Sequence, residues 1–284
     1  MRTSHSVAST RIRRFRRDGL IFPVHDSGPG NGAPVVLLHG FPLDHRCWDA
    51  TVPILHRAGL RTLAPDQRGY AQDNAPSSRR AYLLPDLADD VLALLDEAQI
   101  SSAHLVGHGW GGALAWHLAG TSQRIRSVTI LSTPHPGALT WSARRRGRAP
   151  SGVSTVFVQL PYLPERMLAR RLPGRVKGGA GLSAQRAQSH LAAYEGPADL
   201  TGPLNWYRAA RLYRGPTPDA RVPTTYLWGN HDAACHRATA QRTARYVRGD
   251  YRFIELAGGH WLPETHPVAV AGEVEHQVRS VDPM

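Results

Sequence analysis

The chain has 284 residues, of which 42% are hydrophobic and 20% are charged, a balance typical of a globular protein with a substantial core. No stretch approaches the roughly 20 apolar residues that span a bilayer, so we expect no membrane partner. The net charge of +12 raises the question of nucleic-acid binding, but Lys177 is the only lysine, and the basic run at 142–148 has no interleaved aromatic residues. We expect no nucleic-acid partner and interpret that run as a solvated surface, with an acidic substrate as the alternative.

The N-terminus and the two cysteines bear on the compartment and on metal chemistry. Residues 1–14 form a basic, Arg-rich arm, and no apolar run of signal-peptide length follows it, so we predict a cytoplasmic location. Cys47 and Cys235 provide neither a disulfide framework nor a metal-ligand spacing. We therefore predict unpaired thiols and no metal. We also expect no cofactor and either a monomer or a homodimer.

Short apolar runs alternate with segments of helical periodicity, which is the pattern of a parallel sheet with crossover helices. Strands are predicted at 34–40, 61–66, 103–109, 125–134, 222–230 and 251–256, and helices at 81–99, after residue 109, up to about 248 and from about 264. This predicts an α/β fold with a mostly parallel sheet and helices on both faces. Residues 137–216 are rich in Arg, Pro and Gly and break the alternation. They predict a helical lid, inserted between the two parts of the core at 15–136 and 217–284.

The segment Gly107-His108-Gly109-Trp110-Gly111 joins a predicted strand to a predicted helix. A turn of this kind presents the catalytic nucleophile in a large class of enzymes. The small residues permit a tight turn, and the N-terminus of the following helix favours developing negative charge. Gly109 occupies the position of the nucleophile and has no side chain that could react.

Candidates for the other catalytic groups follow the turn in the chain order that this fold uses. Asp232 of "WGNHD" is the candidate acid and His260 of "GGHW" the candidate base, each just beyond a predicted strand. Upstream, "LLHGFP" ends another strand. The backbone N–H groups of Phe41 and Trp110 are predicted to converge on one oxygen as an oxyanion hole.

These segments resemble the α/β-hydrolase family and, within it, the epoxide hydrolases, with the haloalkane dehalogenases as close relatives. The resemblance runs from about Phe15 through "HGFP", "PDQRGY", "VGHGWGGALAWHLA", "STPHPG", "WGNHD" and "GGHW", and in the lid through "VFVQLPYLPE" and "GPLNWYR". It implies that Tyr207 donates a hydrogen bond to an epoxide oxygen, whereas the simpler alternative is that Tyr207 only packs the lid. His39, Ser154 and Trp206 are predicted to contact the substrate.

Two positions depart from the family pattern. The family has an aspartate where this chain has Gly109, and that carboxylate attacks the epoxide to give an ester that His-activated water cleaves. A second lid tyrosine of the family falls on Ser154. Two-step hydrolysis through an ester is therefore excluded for this sequence, and the dehalogenase reaction is disfavoured because it needs the same carboxylate.

The retained groups predict an enzyme of the epoxide hydrolase type that acts on a medium-sized apolar small molecule, an epoxide or a related compound. The base His260, oriented by Asp232, would drive cyclisation, elimination or isomerisation, or direct addition of water without a covalent ester. Two alternatives remain open. The chain could be a non-catalytic binding protein that retains the pocket, or an ordinary epoxide hydrolase inactivated by an introduced Asp-to-Gly change.

Overall fold

The structure is a computed structural model that describes residues 11–146, 156–179, 182–215 and 217–283. Ser154 and residues 1–10 of the predicted basic arm lie outside the described residues. The helices are α1 (Val52–Arg57), α2 (Leu84–Glu97), α3 (Trp110–Thr121), α4 (Pro136–Arg146), α5 (Leu163–Gly179), α6 (Ala184–Leu191), α7 (Thr201–Ala210), α8 (Arg237–Arg242), α9 (Leu262–Thr265) and α10 (Pro267–Val281).

An eight-stranded sheet forms the centre of the described chain, in the order β1-β2-β4-β3-β5-β6-β7-β8. The pairs β1–β2 and β2–β4 are antiparallel, and the other five pairs are parallel. The predicted mostly parallel α/β fold is confirmed. The strands are β1 (Arg14–Arg17), β2 (Leu20–Ser27), β3 (Pro34–Leu38), β4 (Arg61–Pro65), β5 (Ala103–His108), β6 (Ile125–Leu131), β7 (Thr224–Gly229) and β8 (Tyr251–Leu256).

Two hydrophobic clusters cover the two faces of the sheet. On β3, Val36 and Leu38 belong to the cluster that includes α2 and α3, whereas Val35 and Leu37 belong to the cluster that includes α1 and α10. Successive side chains of a strand point to opposite faces, so a strand covered on both faces must be apolar at nearly every position. This is why the central strands read as continuous apolar runs.

The hairpin β1–β2 was not predicted from the sequence. Asp18 and Gly19 connect its strands with φ of +51° and +77°, the combination that a two-residue hairpin turn requires. The rings of Phe15 and Phe22 stack across the pair with centroids 4.5 Å apart, and both side chains are buried. Through β2 the hairpin pairs with β4, and β1 becomes the edge strand of the sheet.

Residues 132–223, which we name the β6–β7 connection, contain α4 to α7 and, within the described residues, no strand. They bury a small core of their own that includes Val158, Leu168 and Leu204. Phe41 and Trp261, from loops at the carboxyl ends of the sheet strands, pack against this core. The connection therefore covers the edge of the sheet at which the strands end.

An ionic network joins helix α6 to Glu264 of α9 and to Asp44 in the loop after β3. The Arg186 guanidinium donates to both carboxylate oxygens of Glu264, at 2.8 and 2.9 Å, and His190 Nε2 lies 2.6 Å from Glu264 Oε1. On its other side, His190 Nδ1 lies 3.5 Å from Asp44 Oδ1. Burial alone would lower the pKa of His190, but its hydrogen bonds to the two carboxylates outweigh that effect and raise it.

Both cysteines, Cys47 and Cys235, are buried free thiols. Within the described ranges, no helix is both long and apolar enough to cross a membrane.

Candidate active site

The turn between β5 and α3 places Gly109 at φ +56° and ψ −121°. Residues with a side chain rarely adopt a positive backbone φ, so glycine suits this position. Among the described residues, its two chain neighbours aside, a Cβ atom on Gly109 would have one heavy atom within 4 Å, the Cα of Gly40 at 3.1 Å. The turn therefore has space for a side chain that this sequence does not supply. A Cβ on Gly111, by contrast, would overlap the backbone carbonyl of Leu38, so close packing requires that glycine.

His260 and Asp232 are brought together by the loops that follow β8 and β7. His260 Nδ1 lies 2.9 Å from Asp232 Oδ2, and the other carboxylate oxygen accepts a hydrogen bond from the Ala234 N–H at 2.7 Å. The Asp232 side chain is fully buried, whereas His260 is 26% exposed. Both carboxylate oxygens are thus occupied, and the contact fixes Nδ1 of His260 towards Asp232, leaving Nε2 for other chemistry.

His108, the residue before Gly109, contacts the backbone of His260. Its Nε2 lies 2.9 Å from the His260 carbonyl oxygen, and the two rings are 5.0 Å apart. Burial lowers the pKa of His108 to about 3, so the ring is neutral and its Nε2–H donates to that carbonyl. This contact ties the loop that carries His260 to the turn at Gly109. Sequence reasoning missed His108, although it lies inside the turn motif.

The two amides predicted as an oxyanion hole lie beside the same turn. Trp110 begins α3, where the first backbone N–H groups have no partner within the helix. The Phe41 N–H makes no backbone hydrogen bond within the described residues. Gly40, which precedes Phe41, approaches Gly109 closely enough that its own Cβ would lie 3.0 Å from the Gly109 Cα. Both amides therefore flank the position at which a side chain of residue 109 would begin.

Aromatic side chains of α7 pack over the turn. Tyr207 lies edge-on to Trp110, with ring centroids 4.9 Å apart, and edge-on to Phe41 at 6.0 Å. Burial raises the pKa of Tyr207 to about 12, and an interaction with the Trp110 side chain limits that rise.

The residues predicted to contact the substrate have different surroundings. The indole of Trp206 donates to the Arg68 carbonyl at 2.8 Å, and its ring lies 5.8 Å from that of Trp110. His39 is fully buried, and its Nε2 accepts from the Gln67 backbone N–H at 3.1 Å. Burial lowers the pKa of His39 to about 4, so its ring is neutral. Substrate contacts of these residues, and of Ser154, stay predictions.

Two further tyrosines lie next to these groups, and sequence reasoning singled out neither of them. Tyr194, from the segment after α6, donates its hydroxyl to the Pro42 carbonyl at 3.1 Å and lies 6.3 Å from the Phe41 ring. Tyr70, from the loop after β4, lies edge-on to His39 with centroids 4.5 Å apart. Among the residues that the structure describes, no group of three or more His, Cys, Asp or Glu side chains could hold a metal ion.

The chain is similar to a known protein family and to several known proteins. The profile of a family described as "alpha/beta hydrolase fold" matches residues 33–267. The chain is 31% identical to the AB hydrolase superfamily protein YfhM of Bacillus subtilis, over 89% of this chain and 92% of that protein. It is 30% identical to Epoxide hydrolase A of Mycobacterium tuberculosis, over 83% and 87% of the two chains.

Solved structures show the same fold. The chain aligns with Epoxide Hydrolase A from Mycobacterium thermoresistibile with a TM-score of 0.81 and 24% identity, over 95% of this chain and 98% of that one. An epoxide hydrolase from Bacillus megaterium aligns with a TM-score of 0.80 and 21% identity, over 94% and 99%. At these identities the alignments establish the architecture, and chemistry must be argued from the site.

Proposed function

The chain is an epoxide hydrolase-like member of the α/β-hydrolase fold family, and from this premise we propose that it converts an epoxide, or a related medium-sized apolar molecule, without a covalent ester. In this proposal His260 is the base, Asp232 orients it and Tyr207 is the acid. Residues 137–216 act as a lid over the site. The relatives that are named epoxide hydrolases support the substrate class. Gly109 has no carboxylate, so no ester between residue 109 and the substrate can form.

The observation that carries the proposal is the contact of 2.9 Å between His260 and the buried Asp232 beside a turn that has no nucleophile. Orienting an imidazole with a buried carboxylate keeps the ring in one tautomer, which is useful when Nε2 must accept a proton. A protein that only binds an apolar ligand has no need of this arrangement. The dyad therefore favours turnover over binding alone.

The reaction follows from the two proton-transfer groups. An oxygen nucleophile, either water or a hydroxyl of the substrate itself, attacks an epoxide carbon, and the carbon–oxygen bond of the ring breaks. His260 Nε2 takes the proton of the nucleophile, and the Tyr207 hydroxyl donates its proton to the ring oxygen. Attack by water gives a diol, and attack by the substrate's hydroxyl gives a cyclic ether isomeric with the substrate. Proton removal from carbon would give an allylic alcohol by the same two groups.

The Tyr207 environment supports its role as the acid. Its ring lies over the turn, with its centroid 4.9 Å from that of Trp110, the residue after Gly109. Its raised pKa keeps the hydroxyl protonated at neutral pH. The amides of Phe41 and Trp110 would bind an oxygen at residue 109, which becomes relevant when a carboxylate is introduced there.

The proposal is tested by incubating the protein with a panel of epoxides and epoxy-alcohols in ¹⁸O-labelled water and identifying products by mass spectrometry. We expect turnover without any covalent adduct on the protein. Turnover should fall by a factor of about 10²–10⁴ in His260→Ala and by less in Tyr207→Phe. His56→Gln, a histidine that contacts Ser27 and Thr62 instead of the site, is the matched control.

Activity that survives His260→Ala would contradict the proposal. Ligand binding without any turnover would favour the non-catalytic binding protein. An encoded aspartate at position 109 in the natural gene would identify the chain as an inactivated epoxide hydrolase.

A further inference from the structure

The hydroxyl of Tyr70 is buried and has no hydrogen-bond partner among the described residues. Its ring is held firmly, edge-on to His39 at 4.5 Å and to Trp206 at 6.4 Å. A buried hydroxyl without a partner loses its bonds to water and gains nothing in exchange, so such groups are rare in folded proteins. The Tyr70 hydroxyl therefore needs an explanation that the protein alone does not provide.

Tyr194 and Tyr207 of the β6–β7 connection act electrostatically on Tyr70. Burial, and after it the effect of these two tyrosines, holds the pKa of Tyr70 well above its usual range. Tyr194 is satisfied by the Pro42 carbonyl, and Tyr207 interacts with Trp110. The Tyr194 hydroxyl therefore has a partner, whereas the buried hydroxyl of Tyr70 has none in the described chain.

The charges around Tyr70 restrict the ligand that it can bind. His39 is neutral, because burial lowers its pKa to about 4, so it offers no positive charge for an anion. Asp44 acts on Tyr70 from a distance, and its carboxylate is already paired with Arg46. A charged ligand group would therefore be buried here without a counter-ion, which is costly. A neutral oxygen is the group that fits.

We propose that Tyr70 is a substrate-binding residue whose hydroxyl donates a hydrogen bond to a neutral oxygen of the substrate that is separate from the epoxide ring, a hydroxyl or an ether. The inference rests on the proposed function and narrows its substrate class to oxygenated epoxides such as epoxy-alcohols. Tyr70 takes no part in the proton transfers. A substrate without the second oxygen leaves the Tyr70 hydroxyl buried and unpaired, so it binds more weakly than a substrate that has this oxygen.

The test uses binding, so that it does not depend on turnover. Decane-1,2-diol serves as a product-like probe without a second oxygen function, and decane-1,2,5-triol and decane-1,2,7-triol serve as probes that carry one. Dissociation constants are measured through the tryptophan fluorescence of the full chain, for the parent protein, Tyr70→Phe and Tyr82→Phe. Tyr82 is a matched control, because it is a buried tyrosine whose hydroxyl is satisfied by the Pro76 carbonyl at 2.9 Å.

We expect the parent protein to bind at least one triol about fivefold to tenfold more tightly than the diol, as one neutral hydrogen bond allows. Tyr70→Phe should lose that preference and retain its affinity for the diol, and Tyr82→Phe should change neither. Without ligand, Tyr70→Phe should raise the melting temperature because an unpaired hydroxyl is removed, whereas Tyr82→Phe should lower it.

Two results would overturn the inference while leaving the proposed function intact. One is equal binding of the diol and both triols by the parent protein and by Tyr70→Phe. The other is a lowered melting temperature of ligand-free Tyr70→Phe, which would mean that a buried water already satisfies the hydroxyl. If the parent protein binds neither the diol nor the triols, and converts no epoxide, the proposed function fails as well.

Discussion

The turn after β5 and the loops after β7 and β8 meet at one site but differ in what they supply. The loops bring a buried carboxylate and an imidazole together at 2.9 Å, with both carboxylate oxygens occupied. The turn has the backbone of a nucleophile-bearing turn, with a positive φ and close contact to Gly40, but it has no reactive side chain. Architecture at this site is therefore independent of the nucleophile, because the turn is held by backbone packing, whereas the dyad depends on its side chains.

The largest effect is expected when a carboxylate is placed in the turn. Gly109→Asp should raise epoxide hydrolysis by on the order of 10³-fold or more, because nucleophile, base and oxyanion donors would then act together. The close contact of the new Cβ with the Gly40 Cα, at 3.1 Å, requires a shift of a few tenths of an ångström. Mass spectrometry of the quenched reaction should detect an ester on residue 109. Gly109→Asn, of the same size but not nucleophilic, should show neither gain nor ester. An inactive, folded Gly109→Asp protein would contradict this interpretation of the turn.

A smaller effect is expected where the turn and the His260 loop are joined. His108→Leu removes the hydrogen bond to the His260 carbonyl, so in the Gly109→Asp background kcat should fall about tenfold, with little change in KM. His108→Gln, which retains a donor, should recover much of the loss. His104→Leu is the control, since His104 is buried in the same strand but contacts Ser127. Equal losses of kcat in the two leucine variants would mean that His108 acts through stability alone.

The smallest effect concerns the attachment of α6 to Glu264, just beyond His260. The raised pKa of His190 means that its ion pairs stabilise the fold fully at a pH below its unfolded value near 6.5, and less as the pH rises through the folded value. His190→Gln should therefore lower the melting temperature more at pH 5.5 than at pH 8.5, by roughly 2–3 °C. His56, whose pKa burial lowers, should give the opposite trend in His56→Gln. If the melting temperature of His190→Gln differs from that of the parent protein by the same amount at both pH values, the charge of His190 does not contribute to stability.

Much of the fold could be predicted because the strands buried on both faces are marked by continuous apolar runs. The six predicted strands are present with boundaries within three residues. The hairpin β1–β2 was missed because β1 is a short edge strand of four residues, three of which are arginines. Asp18-Gly19 was the available signal, since an Asp-Gly pair between strand-like segments is typical of a two-residue hairpin turn. It lies just after the predicted basic arm at 1–14, in a part of the predicted core where no strand was assigned.

The site was predictable where chain order and motif determine position, and less so elsewhere. The proximity of His260 and Asp232 follows from parallel strands that end at the same edge of the sheet. The packing of Tyr70, Tyr194 and Tyr207 depends on how the β6–β7 connection lies on the sheet. Such long-range contacts leave no periodic signal in the sequence. His108 was missed for another reason. Its ring donates a hydrogen bond to the backbone carbonyl of His260, and no sequence motif predicts that contact.

The positive φ of residue 109 also bears on how readily the chain tolerates change. Any residue other than glycine would be strained there, at a cost on the order of 1 kcal/mol or more. A chain with glycine is therefore more stable than a counterpart with a carboxylate at that position. The additional free energy of unfolding allows the chain to tolerate destabilising substitutions elsewhere. Selection for foldability alone would never restore the carboxylate, so a return to ester chemistry would require selection for the reaction itself.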